Sequence, residues 1–314
     1  MKQQKEEKPV IRLGVDEGNV AELPAIVAGP TKKGEKTRIY EKEVVRKGQR
    51  VKQTWKIMGT EEYGLPTAAD SEVYYALMEL SEQKGWPKQV FFSLYDLLNR
   101  MGWPHSGNYY HRARESLKRW KTISIESTNT FYKIQDRENI GTLTWGIVEQ
   151  AFSPPDHEVT DRNEPVNYVI WNQHFHESVL EGYALTVDLD LYYSLGKRPL
   201  AQRLYTFLNK KIGKSSAFEM DLKTMAHTHL GIAQSRSSPA QIRVLLDPAA
   251  DMLKESGFLA SYSYRNKRRR VIASFRRGKT LKIANRQTAA HPIEKLHRRL
   301  FQKKPGEFKK EHLA

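Results

Sequence analysis

The chain of 314 residues lacks several features, and each absence excludes a class of protein. It contains no cysteine, which excludes disulfide bonds, thiolate zinc sites and cysteine nucleophiles. No apolar run approaches the roughly 18–20 residues of a membrane-spanning helix, and the first eight residues, MKQQKEEK, hold no signal-peptide apolar region. Acidic residues are outnumbered, with 36 Asp and Glu against 52 Lys and Arg. We therefore expect a cytoplasmic protein, long enough for about two domains.

The excess positive charge is concentrated at the C-terminal end. Residues 265–314 contain 17 Lys and Arg but only three Glu, whereas the first 264 residues are nearly neutral. Hydrophobic residues make up 39% of the chain, enough for a globular core. A basic end on a neutral body indicates a polyanionic partner, most often nucleic acid. The alternative is a solvated basic tail without a partner.

The first 59 residues are predicted to form an N-terminal extension. They are polar and irregular up to about residue 36, and a β-hairpin is predicted from residue 37 to residue 58. In its second strand the apolar residues Val51, Trp55 and Ile57 alternate with polar or charged neighbours, which is the period of a strand. Lys47 and Gly48 form the predicted turn.

Residues 60–153 are predicted to form a first winged-helix domain. Three helices are expected to begin after the capping residues Thr67, Ser93 and Ser106, and each shows apolar side chains at helical spacing. Two strands, over residues 123–132 and 142–148, follow and are rich in β-branched and aromatic residues. Three helices followed by a β-hairpin is the order of a winged-helix domain.

A second domain of the same kind is predicted over residues 167–277, after a Pro-rich linker at residues 154–166. Its helices are expected to begin at Pro199, Asp221 and Ser238, and its hairpin covers residues 258–275. In the third helix Leu245 is predicted to face inward, and Pro248 should kink or break the helix. The predicted fold class is therefore α+β: two tandem winged-helix domains, with an N-terminal β-hairpin extension and a basic C-terminal tail at residues 278–314.

The third helix of each predicted domain carries the candidate base-reading residues. In helix-turn-helix proteins this helix enters the major groove, where the forked side chains of Arg and Asn match guanine and adenine edges. The alternative is that these are ordinary solvated helix faces. The candidates are Asn108, Tyr109, His111, Arg112, Lys118 and Arg119 in the first domain, and Arg236, Ser237, Ser238, Gln241 and Arg243 in the second.

A basic turn lies at the tip of the second predicted hairpin. Five of the six residues from 265 to 270 are basic, namely Arg265, Lys267, Arg268, Arg269 and Arg270. A basic hairpin tip can follow the phosphate backbone beside the groove. The alternative is a solvated loop.

One segment is similar to a phosphate-binding loop. It runs from Gly29 to Thr37 after a short apolar stretch, but Glu35 stands where the loop needs a lysine. The residues after Thr37 predict a strand, whereas that loop is followed by a helix. We therefore expect no nucleotide cofactor.

Two histidine pairs resemble metal ligands. His174 and His176, followed by Tyr193, are similar to the metal-binding histidines and nucleophilic tyrosine of rolling-circle nucleases. The 17-residue spacing from His176 to Tyr193 is short for that arrangement. His227 and His229 fall on different faces of a predicted helix. We therefore expect no catalytic residue and no metal.

Short motifs spread over both predicted domains resemble one protein family. In the first domain they are Gly64-Leu65-Pro66-Thr67, Asp70, Tyr110, Arg112, Leu117, Thr122 and Asn129-Thr130-Phe131-Tyr132. In the second they are Gly182-Tyr183, Asp188, Asp190, Tyr192, Leu195, Ala201 and Arg203-Leu204-Tyr205. Over roughly residues 60–275 the chain is similar to the replication initiator protein A family of plasmids. The resemblance implies a structural role for the region around Tyr192.

The resemblance also implies a function and partners. Such a protein binds repeated double-stranded sites (iterons) in the origin of its plasmid, opens the adjacent duplex, and recruits the host replicative helicase with the host initiator. Related initiators also repress their own promoters. The active form stays open between a monomer and a homodimer. Two other functions remain as alternatives: a winged-helix transcriptional regulator and, less favoured, a metal-dependent nicking enzyme.

Overall fold

Helices and strands are mixed along the whole chain of this computed structural model, which describes residues 11–25, 35–46, 48–131, 141–155, 161–213 and 215–278. The short helix Leu222–Thr224 continues directly into a π-helical turn, Met225–His229. The strands are β1 (Leu13–Glu17), β2 (Thr37–Arg46), β3 (Gln49–Met58), β4 (Gln89–Phe92), β5 (Ser124–Thr128), β6 (Thr142–Trp145), β7 (Val148–Phe152), β8 (Asn167–Trp171), β9 (Ala184–Asp188), β10 (Ala217–Asp221), β11 (Leu259–Lys267) and β12 (Arg270–Arg277). The helices are α1 (Gly18–Glu22), α2 (Ala68–Gln83), α3 (Leu94–Met101), α4 (Gly107–Thr122), α5 (Gln173–Leu180), α6 (Leu189–Ser194), α7 (Pro199–Ile212), α8 (Leu222–Thr224) and α9 (Pro239–Glu255).

Two units repeat the same order of elements. Unit 1 consists of α2, β4, α3, α4, β7 and β8, and its antiparallel sheet has the order β4-β8-β7. Unit 2 consists of α7, β10, α8 with its π-helical turn, α9, β11 and β12, and its sheet has the order β10-β12-β11. In both units the last strand therefore lies between the other two. Among the described residues, no helix combines the length and the apolar character needed to cross a membrane.

The N-terminal hairpin and the predicted helix starts are confirmed. Strands β2 and β3 pair antiparallel from Thr37 opposite Met58 to the turn end, where Gly48 adopts a positive φ of 78°; Lys47 lies outside the described residues. At the start of α2 the Asp70 carboxylate accepts hydrogen bonds from the Thr67 backbone N–H at 2.6 Å and from its hydroxyl at 2.7 Å. Such a capping box satisfies N–H groups that a helix start leaves unpaired.

The strands predicted as the hairpin of the first domain belong to a different sheet. Strands β5 and β6 extend the N-terminal hairpin into a four-stranded sheet of order β2-β3-β5-β6. The reason is packing: Trp55 and Trp145 are buried and meet edge to face, with ring centroids 5.8 Å apart. Residues 132–140, which include the end of the first predicted strand, lie outside the described residues.

The segment predicted as an interdomain linker, residues 154–166, instead connects β7 to β8 within the sheet of unit 1. The predicted boundary before residue 167 consequently falls inside that sheet, because β8 pairs with both β4 and β7. Proline and polar residues are as typical of a hairpin loop as of a linker. The chain passes from unit 1 to unit 2 through α5, β9 and α6.

Helix α9 differs from its prediction in two respects. Leu245 is 37% exposed and Leu246 is fully buried, so the prediction that Leu245 faces inward is wrong by one residue. Of the kink or break predicted at Pro248, the break does not occur, because the helix is continuous from Pro239 to Glu255. A proline cannot donate to the carbonyl four residues earlier, here that of Val244. Val244 and Pro248 both lie on the exposed side, where water can satisfy that carbonyl.

The segment at residues 11–25 joins the two units through a buried carboxylate. Strand β1 pairs with β9 and packs on α2. The Asp16 carboxylate, 1% exposed, accepts hydrogen bonds from the hydroxyls of Tyr74 at 3.0 Å and Tyr75 at 2.8 Å, both on α2. Next to it, buried Glu17 caps α1 and accepts a hydrogen bond from the Ser178 hydroxyl at 2.6 Å. These side chains therefore tie β1 to α2 on one side and to α5 on the other.

Cations of α7 fasten the same segment to unit 2. The Arg203 guanidinium donates to the carbonyls of Glu22 at 2.9 Å and of His229 at 2.8 Å. Lys210 and Lys211 form ion pairs with the Glu22 carboxylate at 2.8 and 2.7 Å. These lysines hold the pKa of Glu22 well below its usual range, against the opposing effect of burial. The segment thus contacts both units through polar bonds in the interior.

We predict that ionisation of Asp16 lowers the stability of the folded protein as the pH rises. Burial raises the pKa of Asp16 to about 6, against the lowering effect of the two tyrosine hydroxyls and Arg203. A carboxyl with a raised pKa in the folded state stabilises it most below its unfolded pKa, and that contribution is lost as the pH rises through about 6. Relative to Asp16→Asn, the free energy of unfolding of the natural chain should fall by about 3 kcal/mol between roughly pH 4 and 7. Urea unfolding of both chains across that range measures the difference; a difference independent of pH would contradict the assignment.

Candidate nucleic-acid interface

Helix α4 presents one polar face to solvent. Ser106 precedes it as the N-cap residue, and Ala113, Leu117 and Trp120 are buried on its inner side. Four of the predicted base-reading residues lie exposed on the other side, which leaves their donors and acceptors accessible to a groove. They are Asn108, His111, Arg112 and Lys118.

A buried tryptophan orients the first turns of this face. The ring of Trp103 lies 5.6 Å from that of Tyr109, and the Arg112 guanidinium stands 4.8 Å above the Trp103 ring. The Trp103 indole N–H donates to the Glu72 carboxylate on α2. Tyr109 is therefore half-buried against the core, whereas exposed Arg112 is held in place by a cation–π contact that limits its rotamers.

Arg119 does not belong to the exposed face, although the sequence predicted it there. Its guanidinium donates to the buried Asp70 carboxylate at 2.6 Å and to the backbone carbonyl of Tyr63 at 2.7 Å. The same carboxylate completes the capping box of α2. Because α4 turns Arg119 toward α2, the residue fastens two helices together.

The predicted base-reading residues of unit 2 have local roles at α9. Ser238 and Gln241 form a capping box, in which each side chain accepts from the backbone N–H of the other. The Arg243 guanidinium lies 4.3 Å from the centroid of Tyr264 on β11, and the Tyr264 hydroxyl donates to Asp247 at 2.6 Å. Arg236 and Ser237, by contrast, lie exposed in the loop that leads into the helix.

The hairpin of β11 and β12 carries the basic turn at its tip, as predicted. Lys267 and Arg270 form its last strand pair, and Arg268 has a positive φ of 55° in the turn. All five basic side chains are exposed. Arg265 forms an ion pair with Glu219 on the neighbouring β10. Positive charge thus projects from the end of unit 2, while residues 279–314 of the basic tail lie outside the described residues.

The sequence prediction missed a second hairpin beside α4. The connection between β7 and β8 carries Arg162, whose guanidinium lies 6.0 Å from the ring centroid of Tyr110 on α4. Between them is a cleft of about 370 Å³, lined among others by His105 and Arg114. The run of β-branched and aromatic residues in β8 is the sequence signal for this hairpin, but the prolines between β7 and β8 fit a linker as well.

Of the two tyrosines near the nuclease-like motif, Tyr192 is buried and Tyr193 is partly buried. Tyr192 is 1% exposed and donates a hydrogen bond to the Ser71 hydroxyl at 2.6 Å. Tyr193 donates to the carbonyl of Glu72 at 3.3 Å, and burial raises its pKa above the usual range. A neutral phenol in the interior is a poor nucleophile, because attack requires the phenolate and access to the phosphate.

In three of the four histidines of these motifs, His176, His227 and His229, a ring nitrogen lies near a backbone carbonyl. His176 lies 2.9 Å from the carbonyl of Trp86, and His229 lies 3.0 Å from that of Glu22. Burial lowers the pKa of His229 to about 3. Within the described ranges no three His, Asp or Glu side chains are close enough together to hold a metal ion. Of the segment similar to a phosphate-binding loop, residues 29–34 are outside those ranges, and Thr37 begins a strand.

The arrangement of helices and strands is similar to that of two solved structures. The chain is similar to a crystal structure of domains 2 and 3 of RctB, with 14% identity and a TM-score of 0.51 over 83% of this chain and 98% of that one. A second structure of RctB domains 2–3 gives 14% identity and a TM-score of 0.49 over 85% and 99% of the two chains. At this identity the likeness concerns the fold alone. No curated protein matches the chain.

The family model for Replication initiator protein A matches residues 16–252. The chain belongs to that family, as the motifs in its sequence indicated. The match extends further toward the N-terminus than the predicted 60–275, because it includes the N-terminal hairpin and begins at the buried Asp16. It ends within α9, so the basic hairpin of β11 and β12 lies beyond it.

We predict that Arg119→Ala lowers the free energy of unfolding by about 3 kcal/mol, because it leaves the buried Asp70 carboxylate without its charged partner. Lys118→Ala is the matched control: its side chain is about half exposed and contacts Glu115 and the Tyr63 ring at the surface, so its cost should stay below about 1 kcal/mol. Urea unfolding of the two variants measures both values. If Arg119→Ala unfolded like the natural chain and lost only DNA binding, Arg119 would be a DNA contact after all.

Proposed function

We propose that the protein is a plasmid replication initiator that binds repeated double-stranded sites in its origin through two winged-helix units. The observation that carries the proposal is the repeated order of elements in a chain of the initiator family. Each unit joins a helix with solvent-exposed positions to a hairpin with exposed Arg. In a winged-helix unit these are the helix of the major groove and the wing beside it.

The helices and the hairpins would contact different parts of the DNA. Helix α4 would meet base edges with Asn108, His111, Arg112 and Lys118, since side-chain donors in the major groove discriminate between base pairs. Arg162, in the connection between β7 and β8 of unit 1, and residues 265–270 at the hairpin tip of unit 2 would contact phosphates, which supply affinity and fix the register. Binding by one unit raises the effective concentration of the other at the adjacent groove.

Initiation by such a protein needs no covalent step. Binding energy would distort the duplex next to the repeated sites, and the bound protein would then recruit the host replicative helicase and host initiator in the cytoplasm, where plasmid DNA lies. The burial of Tyr192 and the partial burial of Tyr193, whose pKa is raised, support a role without strand cleavage. Repression of its own promoter would follow from the same binding to DNA near its gene.

We expect footprinting to reveal an array of protected sites on the DNA that flanks the gene. At about 0.2 M salt, non-specific phosphate binding is weakened, and the protected sites should repeat at close to whole helical turns. The same incubations with Mg²⁺ should leave supercoiled DNA without nicks. One isolated site over a promoter would favour a transcriptional regulator, and nicking that Tyr193→Phe abolishes would favour the nuclease.

We predict that the tip of the second hairpin contributes to affinity through phosphates alone. Replacing both Arg268 and Arg269 by Ala should lower the slope of log K against log salt by up to about 1.8, since each lost phosphate contact contributes about 0.9. Binding titrations from about 0.1 to 0.3 M salt measure the slope, with Lys84→Ala at the end of α2 as the control. The preference for one site over another should not change, and a changed site preference would show that the tip reads bases.

A further inference from the structure

The first half of α9 exposes several apolar side chains together with Gln241. Val244 is 71% exposed and Leu245 is 37% exposed. Ala240 and Pro248, one helical turn before and after Val244, are exposed as well. Four apolar residues at spacings of one, three and four positions form a continuous stripe on a helix. We call this set of four residues the α9 stripe.

The polar residues near the α9 stripe are engaged elsewhere. Ser238 and Gln241 bond to each other's backbone in the capping box. Arg243 lies half-buried against the Tyr264 ring. The forked side chains that the sequence suggested for this helix are thus held by local contacts, and the surface left at its centre offers methyl groups.

Positive charge lies in the loop before α9 and at the tip of the hairpin behind it, whereas two carboxylates of α9, Asp247 and Asp251, accept hydrogen bonds from tyrosines of β11. Arg236 is exposed in the loop before the helix. Behind the helix, β11 runs from the Arg243–Tyr264 contact to the basic tip at residues 267–270. A polyanion with apolar groups between its charges matches an apolar stripe near positive charge. Duplex DNA is a polymer of this kind, because its major groove exposes thymine methyl groups between two phosphate backbones.

We propose that unit 2 reads thymine through the α9 stripe, with Val244 and Leu245 packed against C5-methyl groups in the major groove. The C5-methyl is the apolar group that a base pair presents there, and it distinguishes thymine from the other three bases. The inference rests on the proposed function, in which α9 enters the groove. It assigns different chemistry to the two units: α4 reads hydrogen-bonding edges, and α9 reads methyl groups.

The test uses deoxyuridine, which removes the C5-methyl of thymine and leaves its hydrogen-bonding edge unchanged. A duplex carrying one footprinted site is prepared with its thymines replaced one at a time, and binding to the full-length chain is measured at about 0.2 M salt. For the natural chain we expect at least one replacement to weaken binding about fourfold, the factor that corresponds to one buried methyl group.

Two variants separate the α9 stripe from the rest of the protein. Val244→Ala should bind the thymine site more weakly and should lose the difference between thymine and deoxyuridine at the contacted position. Val45→Ala is the matched control, because Val45 has the same exposed fraction of 71% but lies on β2. It should retain the full difference. Thermal unfolding should show that Val244→Ala folds, as expected for an alanine on an exposed helix face.

Three outcomes overturn the inference. If the natural chain binds its site but no deoxyuridine replacement changes the affinity, the α9 stripe does not read methyl groups. If the replacements matter equally in the natural chain, Val244→Ala and Leu245→Ala, other residues read them. In both cases the proposed function stands. If the footprint shows no protected site at all, the proposed function fails, and this inference fails with it.

Discussion

The arrangement of the two units depends on one buried carboxylate, that of Asp16. It accepts hydrogen bonds from two tyrosines of α2, while its strand, β1, pairs with β9 on the path to unit 2. A carboxylate without hydrogen bonds in this interior would be too costly to keep. The tyrosine hydroxyls therefore specify where β1 lies, and β1 in turn positions α1 against the cations of α7. The family match begins at this residue, which agrees with its central place in the fold.

The two candidate recognition helices are fixed by different means. In unit 1, buried Asp70 both caps α2 and holds Arg119 of α4, so the register of α4 depends on a charge-assisted contact between helices. In unit 2, α9 begins with a capping box and packs against β11 through Arg243 and Tyr264. Arg119 and Arg243 are half-buried in these supports, whereas Arg112, although it contacts the Trp103 ring, remains exposed. The side chains that remain exposed toward a groove are therefore polar on α4 and apolar on α9.

Local signals in the sequence predicted the local structure well. The capping residues Thr67, Ser93 and Ser238 begin helices as expected, because caps and helical periodicity act within a few residues. Strand pairing is decided by packing between residues that are distant in sequence. Strand β5 therefore pairs with β3, which carries Trp55, and not with a strand of unit 1. Arg112 and Arg119 belong to the same residue type on the same helix, and only the position of α2 shows that one faces solvent and the other faces Asp70. Two adjacent leucines fit the helical period almost equally well, so the sequence does not decide whether Leu245 or Leu246 faces inward.

The pairing of β1 with β9 has a consequence for synthesis of the chain on the ribosome. Leu13 pairs with Asp188, so the first strand to be made has no partner until most of the chain has emerged. At about 5–20 residues per second, this delay is on the order of ten seconds or more. During that time β1 presents unpaired backbone groups, the kind of strand edge that promotes aggregation. Its two adjacent carboxylates, Asp16 and Glu17, are hydrated and charged over the same period, and they keep the nascent strand in water until β9 arrives.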